Sequence, residues 1–294
     1  MKNTIGGNLM TPAVIAKIIS MQQNFTVSEN EIAQYVMNHT DSIITSTISA
    51  IAKETGTSEA SINRFCKKLG LKGFNSLKIA LAQESFYNKM NNPSQSSRNG
   101  NILSSVSQDY QRILLNTTAM LEENALQQIV ETLKKAEFVY IFGLSETAFV
   151  TQEFASKLSL VGIRAKSITD ITEISIEASH IRKNDFAIFI VSSVLSRGLM
   201  PSINMCRDRG AKLLAITSYD SPQLNEIMDY KLVTSDTITA RNSVSISNNL
   251  IFLYVVDVVY TILLGSDKSL RDKKLNSDVT RNHNQTLDNF MYYP

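Results

Sequence analysis

Seven side chains between positions 58 and 68 have the makeup of a base-reading surface: Ser58, Glu59, Ser61, Asn63, Arg64, Lys67 and Lys68. An arginine can pair with guanine, and an asparagine with adenine, through two hydrogen bonds each, while Ser and Glu can meet other base edges. Lys67, Lys68 and the nearby Lys72 are charges suited to backbone phosphates, which fix register rather than sequence. From Lys53 to Lys78 the chain carries six basic residues (Lys53, Arg64, Lys67, Lys68, Lys72, Lys78) against two acidic ones (Glu54, Glu59), although all 294 residues together carry a formal net charge of only +2. Positive charge is therefore concentrated here, as binding to duplex DNA requires.

A second chemistry is possible at FGLSETAF (142–149) and VSSVLSRG (191–198). Each places hydroxyl residues just after an apolar run, and the first does so where a helix opens. Free amides at a helix N-terminus together with Ser or Thr hydroxyls form a phosphate cradle. The same residues serve equally well as ordinary helix caps.

The first group needs two short helices held at an angle. Ile48, Ile51 and Ala52 predict a helix with one apolar face, and Ala52 is small enough for a close crossing. Gly56 falls at the turn, where a residue tolerating positive φ is favoured. Ser58 is placed to cap the second helix, and Ile62, Phe65 and Leu69 form its buried stripe. An apolar back, a basic front and a Gly turn make a helix-turn-helix, whose second helix fits the major groove. Around it, residues 11–87 read as helical. One helix is expected from Pro12, capped by Thr11, and another over Glu29–Asn38, capped by Ser28. A closing helix carries Phe74, Leu77 and Leu81 after Gly70 ends the recognition helix.

Residues 88–101, NKMNNPSQSSRNGN, read as a linker. Helices are expected over Ile102–Leu121 and Ala125–Ala136. From 137 the pattern alternates. Short runs rich in Val, Ile and Phe (137–142, 163–168, 185–191, 211–217, 229–234) are separated by segments long enough for crossover helices, notably Thr147–Val161 and Gly198–Arg209. That rhythm predicts an α/β domain with a parallel sheet and a ligand site at the carboxyl ends of its strands. Leu250–Leu264 is apolar but only 15 residues long, with Asp257 in its middle, so a buried helix is expected rather than a membrane span. The tail from Ser266 is polar and carries no firm expectation.

Composition narrows the function. The hydrophobic share is 43% and the charged share 19%, as in a soluble globular protein of about two domains. MKNTIGGNLM has no apolar core of a secretory signal. Two cysteines 140 positions apart, Cys66 and Cys206, and three scattered histidines (His39, His180, His283) predict no disulfide framework, no metal site and no cofactor. The expected compartment is the cytoplasm.

TSEASINRFCKKLGLKGFNSLKIAL (57–81) closely resembles the N-terminal helix-turn-helix of the RpiR (MurR) transcription regulators, and stretches such as AKLLAITSYDSPQLNEIMDYKLVT are similar to their second domain. The resemblance spans roughly residues 10–265. It implies an α + α/β fold: an all-helical helix-turn-helix domain over 1–87, a linker over 88–101, a SIS-type three-layer α/β domain with a five-stranded parallel sheet over 102–265, and a polar tail over 266–294. It also implies a homodimer or tetramer, a near-palindromic operator, control of carbohydrate metabolism genes, and a phosphorylated sugar as effector; the residues expected to hold it here are Gly143, Ser145, Thr147, Ser192 and Ser193, with Arg197 as this chain's own addition.

The chain departs from the family pattern in both loops. Where the family has Gly-x-Gly-x-Ser-Gly, this chain has Gly143, Leu144, Ser145, Glu146, Thr147 and Ala148. Ser145 replaces a glycine, and Glu146 adds negative charge. Where the family has Ser-x-Ser-Gly-x-Thr, this chain runs from Ser192 to Arg197 with one hydroxyl, the glycine and the threonine gone. Two outcomes stand open: Arg197 compensates as a phosphate partner, or the domain has lost the ligand and only dimerises, with a partner protein setting the response to DNA. An enzymatic alternative is a sugar-phosphate isomerase using Glu146, Glu173, Glu177 or His180 as acid and base. The eroded loops weigh against it.

Overall fold

The computed structural model describes residues 14–91, 102–192, 198–237 and 246–291. The contacts divide it into two compact units. The first contains α1 (Val14–Met21), α2 (Val27–Asn38), α3 (Thr40–Thr45), α4 (Ile48–Glu54), α5 (Glu59–Lys68), α6 (Phe74–Asn91) and α7 (Ile102–Met120), with Tyr219–Ser221 and the described part of Thr234–Ser247. The α7 helix, which the sequence pattern groups with the sheet, clusters here. It packs against α1, and its Tyr110 and Thr117 hydroxyls accept the backbone amides of Ser247 and Ser235.

The helical core is built from the expected stripes. Ile62 and Phe65 of α5 meet Ile18, Ile32, Ile51, Leu77 and Leu81, all almost completely buried. Each such side chain contributes about 1.5–3 kcal/mol by leaving water. The α2 helix begins two residues earlier than expected. Its cap is Thr26, not Ser28, in a reciprocal box: the Thr26 hydroxyl accepts the Glu29 amide while the Glu29 carboxylate accepts the Thr26 amide. The proposed Thr11 cap lies outside the described residues. The expected linker opens inside α6, which runs to Asn91, and its remainder also lies outside them.

The second unit alternates helix and strand: α8 (Glu123–Lys135), β1 (Val139–Gly143), α9 (Ala148–Leu160), β2 (Ala165–Ile168), α10 (Ile171–His180), β3 (Phe186–Ile190), α11 (Met200–Asp208), β4 (Lys212–Thr217), α12 (Pro222–Ile227), β5 (Tyr230–Val233), α13 (Asn249–Ser266) and α14 (Lys268–Met291). All five strand runs expected from the sequence are strands. They form one parallel sheet in the order β2-β1-β3-β4-β5. Because successive side chains leave a strand on opposite faces, the sheet separates two cores. Val139, Ile141, Phe186, Ile188, Leu214 and Ile216 face α8, α9 and α13. Phe142, Ala187, Phe189, Leu213 and Ala215 face α10, α11 and α12.

Asn249–Ser266 is long and apolar enough to cross a membrane by composition. It is instead the core helix expected, with Phe252, Val255, Val256, Val259 and Leu263 completely buried. Asp257 sits on its outer side, 3.0 Å from the Lys157 ammonium. The polar tail is not shapeless. Its 24-residue helix α14 docks on this layer through buried Leu270 and through the Ser277 hydroxyl, which donates to the Leu160 carbonyl at 2.8 Å.

Candidate functional site

The helix-turn-helix forms where the residues require it. Gly56 has φ +61° in the turn, which a Cβ would strain. The Ser58 hydroxyl caps α5 by accepting the Ser61 amide at 3.1 Å. With Ile62, Phe65 and Cys66 turned into the core, the residues at opposite helical positions are Ala60, Asn63, Arg64 and Lys67, spaced i, i+3, i+4, i+7 on one face. Ala60, Arg64 and Lys67 are exposed. Ala60 was missing from the residues expected to meet DNA. As a polar-or-apolar choice it is unremarkable, but its spacing from Arg64 and Lys67 identifies it, and its methyl suits a thymine methyl. Ser58, Glu59 and Lys72 are exposed as well.

Four of the residues expected at the DNA hydrogen-bond within the protein. Lys68 turns away from the face: its ammonium bonds the Glu29 carboxylate at 2.7 Å and the Asn24 carbonyl at 2.9 Å, and lies 5.4 Å from the centre of the Phe25 ring. Burial acts to raise the Glu29 pKa, but Lys68 and the Thr26 amide outweigh it and hold the carboxyl below its usual range. Lys68 thus ties α5 to α2. Asn63 is half-buried, and its Oδ1 accepts the Phe74 amide at 3.2 Å, capping α6. The paired hydrogen bonds to adenine need that same oxygen. Glu59 accepts the Ser49 hydroxyl from α4, which braces the two helices of the motif. Ser61 accepts from the Arg64 guanidinium at 3.0 Å, so it supports the arginine.

The two lysines separate cleanly by experiment. Lys67→Ala should weaken binding to all DNA sequences alike and reduce the salt slope of log K by about 0.9. Lys68→Ala should leave that slope unchanged and instead lower the melting temperature of the helical unit. Fluorescence anisotropy across a salt series, with thermal melts of both variants, checks this.

In the sheet unit, the expected ligand loops sit at the carboxyl ends of β1 and β3. Gly143 is required by space: a Cβ there would collide with Thr151 Cγ2, and would lie 2.8 Å from Thr147 Oγ1 and 3.3 Å from the Ile190 carbonyl. Ser145 adopts φ +29°, the one positive φ among described non-glycine residues. This is where the family pattern has its glycine, and a side chain in this region costs on the order of 1 kcal/mol. Thr147 is completely buried. Its hydroxyl donates to the Ile190 carbonyl at 2.6 Å and accepts the Leu144 amide at 3.2 Å, so it stitches the loop to β3. Ser192 is half-buried, and its hydroxyl donates to Glu146. Ser193 and Arg197 lie outside the described residues.

The residues suggested for isomerase chemistry fall in two places, Glu146 in the loop after β1 and the other three on α10. Glu173 and Glu177 of α10 both bond Lys166 of β2, at 2.9 and 2.6 Å, and they hold its ammonium well above the ordinary lysine range, Glu177 most strongly. His180 is exposed at the far end of α10. Cys66 and Cys206 are buried, which pushes their thiols up to about 11 and about 12 and keeps them unreactive. Among the described residues no group of three His, Cys, Asp or Glu is placed to hold a metal.

Comparison with known proteins finds relatives for both parts of the chain. Residues 13–87 match the helix-turn-helix domain of the rpiR family, and residues 132–261 match the SIS domain. An uncharacterized HTH-type transcriptional regulator of Haemophilus influenzae is 26% identical over 266 residues, covering 87% of this chain and 92% of its own. One from Clostridium perfringens is 27% identical over 243 residues, covering 80% and 86%. Among solved structures, the Vibrio vulnificus NanR protein complexed with ManNAc-6P is similar with a TM-score of 0.56 at 22% identity, covering 91% of this chain and 97% of its own. The sugar isomerase domain of an RpiR transcription factor from Sphaerobacter thermophilus gives 0.54 at 17% identity, covering 62% and 98%. At these identities the solved structures attest the fold alone.

Proposed function

The chain belongs to the RpiR family of helix-turn-helix transcription regulators with a SIS domain, and on that premise we propose that it binds a near-palindromic operator as a homo-oligomer and answers to a phosphorylated sugar. The observation that carries the DNA part is the exposed stripe of Ala60, Arg64 and Lys67 on a helix whose opposite face is completely buried. Such a helix is anchored by its back and offers its front to the major groove. Two copies related by a twofold axis would place two such helices about one turn of DNA apart, or a multiple of it.

The ligand class rests on the SIS fold and on the similar Vibrio vulnificus protein solved with ManNAc-6P. Here the effector would act by shifting the operator-binding arrangement, with a coupling of roughly 1–3 kcal/mol. A regulator of this kind works in the cytoplasm, where the DNA is. We read it as a sensor rather than an isomerase, since Glu173 and Glu177 are bound to Lys166; turnover of a phosphosugar by the purified protein would reverse that reading.

Arg64→Ala tests the groove assignment. Removal of a bidentate base contact should cost about 1–3 kcal/mol at the operator and relax preference at one base position of each half-site. Unchanged operator affinity in a gel-shift titration would place the reading surface elsewhere.

A further inference from the structure

The ends of β1 and β3 carry a pairing that phosphosugar binding does not call for. The Ser192 hydroxyl donates to Oε1 of Glu146, so a carboxylate already holds the donor that an anionic ligand group would seek there. Neither partner sits on loose backbone. On one side of Glu146, Ser145 is held at φ +29° above a Gly143 with no room for a Cβ. On the other, buried Thr147 bonds the Ile190 carbonyl and the Leu144 amide. Across the gap, the Ser192 carbonyl accepts the Thr217 hydroxyl at 2.8 Å and the Ser218 amide at 3.2 Å. Two pinned strand ends therefore present an acceptor and a donor to each other.

We propose that Glu146 is a built-in competitor for the anionic group of the effector, which must take Ser192 from it to bind. The inference rests on the phosphosugar reading above. A serine hydroxyl has one hydrogen, so it cannot serve a carboxylate and a phosphate together, and an undisplaced carboxylate would also repel the phosphate. Exchange is feasible without backbone movement, because the Glu146 side chain is exposed. The arrangement sets a threshold: a phosphorylated sugar binds only when its interactions outweigh those that Glu146 gives up. It also turns away weaker anions, which is specificity by an opposing contact.

The test is calorimetric titration of the full chain with a panel of hexose and N-acetylhexosamine phosphates and their unphosphorylated counterparts. The proteins compared are the wild type, Glu146→Ala, and Glu146→Ala combined with Ser192→Ala. The expected result is phosphosugar affinity at least about tenfold higher in Glu146→Ala, no gain for unphosphorylated sugars, and loss of the gain in the double variant. Equal affinity in wild type and Glu146→Ala would overturn the inference and leave the phosphosugar reading standing. Weaker binding in Glu146→Ala would also overturn it, by making Glu146 a direct contact of the effector. A gain that survives Ser192→Ala would refute the exchange at Ser192. Failure of every variant to bind any phosphosugar would remove the ligand reading and the inference together.

Discussion

Phe65→Ala should abolish operator binding by unfolding the helical unit while leaving the sheet unit folded. Phe65 lies at the centre of the recognition helix and is completely buried. Its ring meets Phe25 edge-on with centroids 5.3 Å apart and packs in the same cluster as Ile18, Ile32, Ile51 and Leu77. Truncating a buried Phe to Ala costs about 3–5 kcal/mol, part from lost transfer energy and part from the cavity left behind. A small domain has about 5–15 kcal/mol of total stability, so a large share of its margin goes. The sheet unit has its own two cores, to which Phe65 does not belong. Calorimetry should therefore show one transition moving sharply down in temperature and another unmoved. A uniform shift of all unfolding, or a loss below about 1 kcal/mol, would contradict the packing described.

The second large effect concerns pH. Glu84 of α6 is only 7% exposed, and its carboxylate accepts the Val14 amide at 2.9 Å and the Ile15 amide at 3.4 Å at the start of α1. Those bonds favour the charged form, as does the positive end of the helix dipole. Burial acts the other way and wins, pushing the carboxyl from 4.5 up to about 7. An acid whose folded value lies above its unfolded one binds its proton more tightly in the native state. The resulting stability is complete below about pH 4.5 and is lost as pH rises through about 7. At 1.36 kcal/mol for each unit, the loss across that window is about 3 kcal/mol. Glu84→Gln removes the titration while keeping an oxygen toward the two amides. Relative to that variant, the wild type should lose about 3 kcal/mol of helical-unit stability between pH 4.5 and 7. Denaturant titrations of both proteins over this range give the difference directly, and parallel curves would show that burial leaves Glu84 at its ordinary value.

Most elements of the fold were readable because their causes are local. The α5 helix announces itself by Ile62, Phe65 and Leu69 at helical spacing, by the Ser58 cap and by the Gly56 turn, all within fifteen residues. The five strands announce themselves as short β-branched and aromatic runs between helical stretches. The one cap misplaced, Ser28 for Thr26, was an error of two positions in a segment where Thr26, Ser28 and Glu29 offer competing local signals. Helix α14 gave no such warning, since a polar helix becomes stable by docking on another layer, here α9 and α13, rather than by an apolar stripe of its own.

The sites divide along the same line. Sequence alone determined that a basic, polar-faced helix follows a Gly turn and that hydroxyl loops end two parallel strands, since residue type and spacing suffice for both. Only the tertiary structure decided which partners those side chains meet. Lys68 meets Glu29 across 39 positions, Asn63 meets Phe74 across 11, Thr147 meets Ile190 across 43, and Ser192 meets Glu146 across 46. A side chain's role depends on which donor or acceptor lies within about 3 Å. For these residues that partner is brought in by chain folding from elsewhere, where periodicity and capping carry no information.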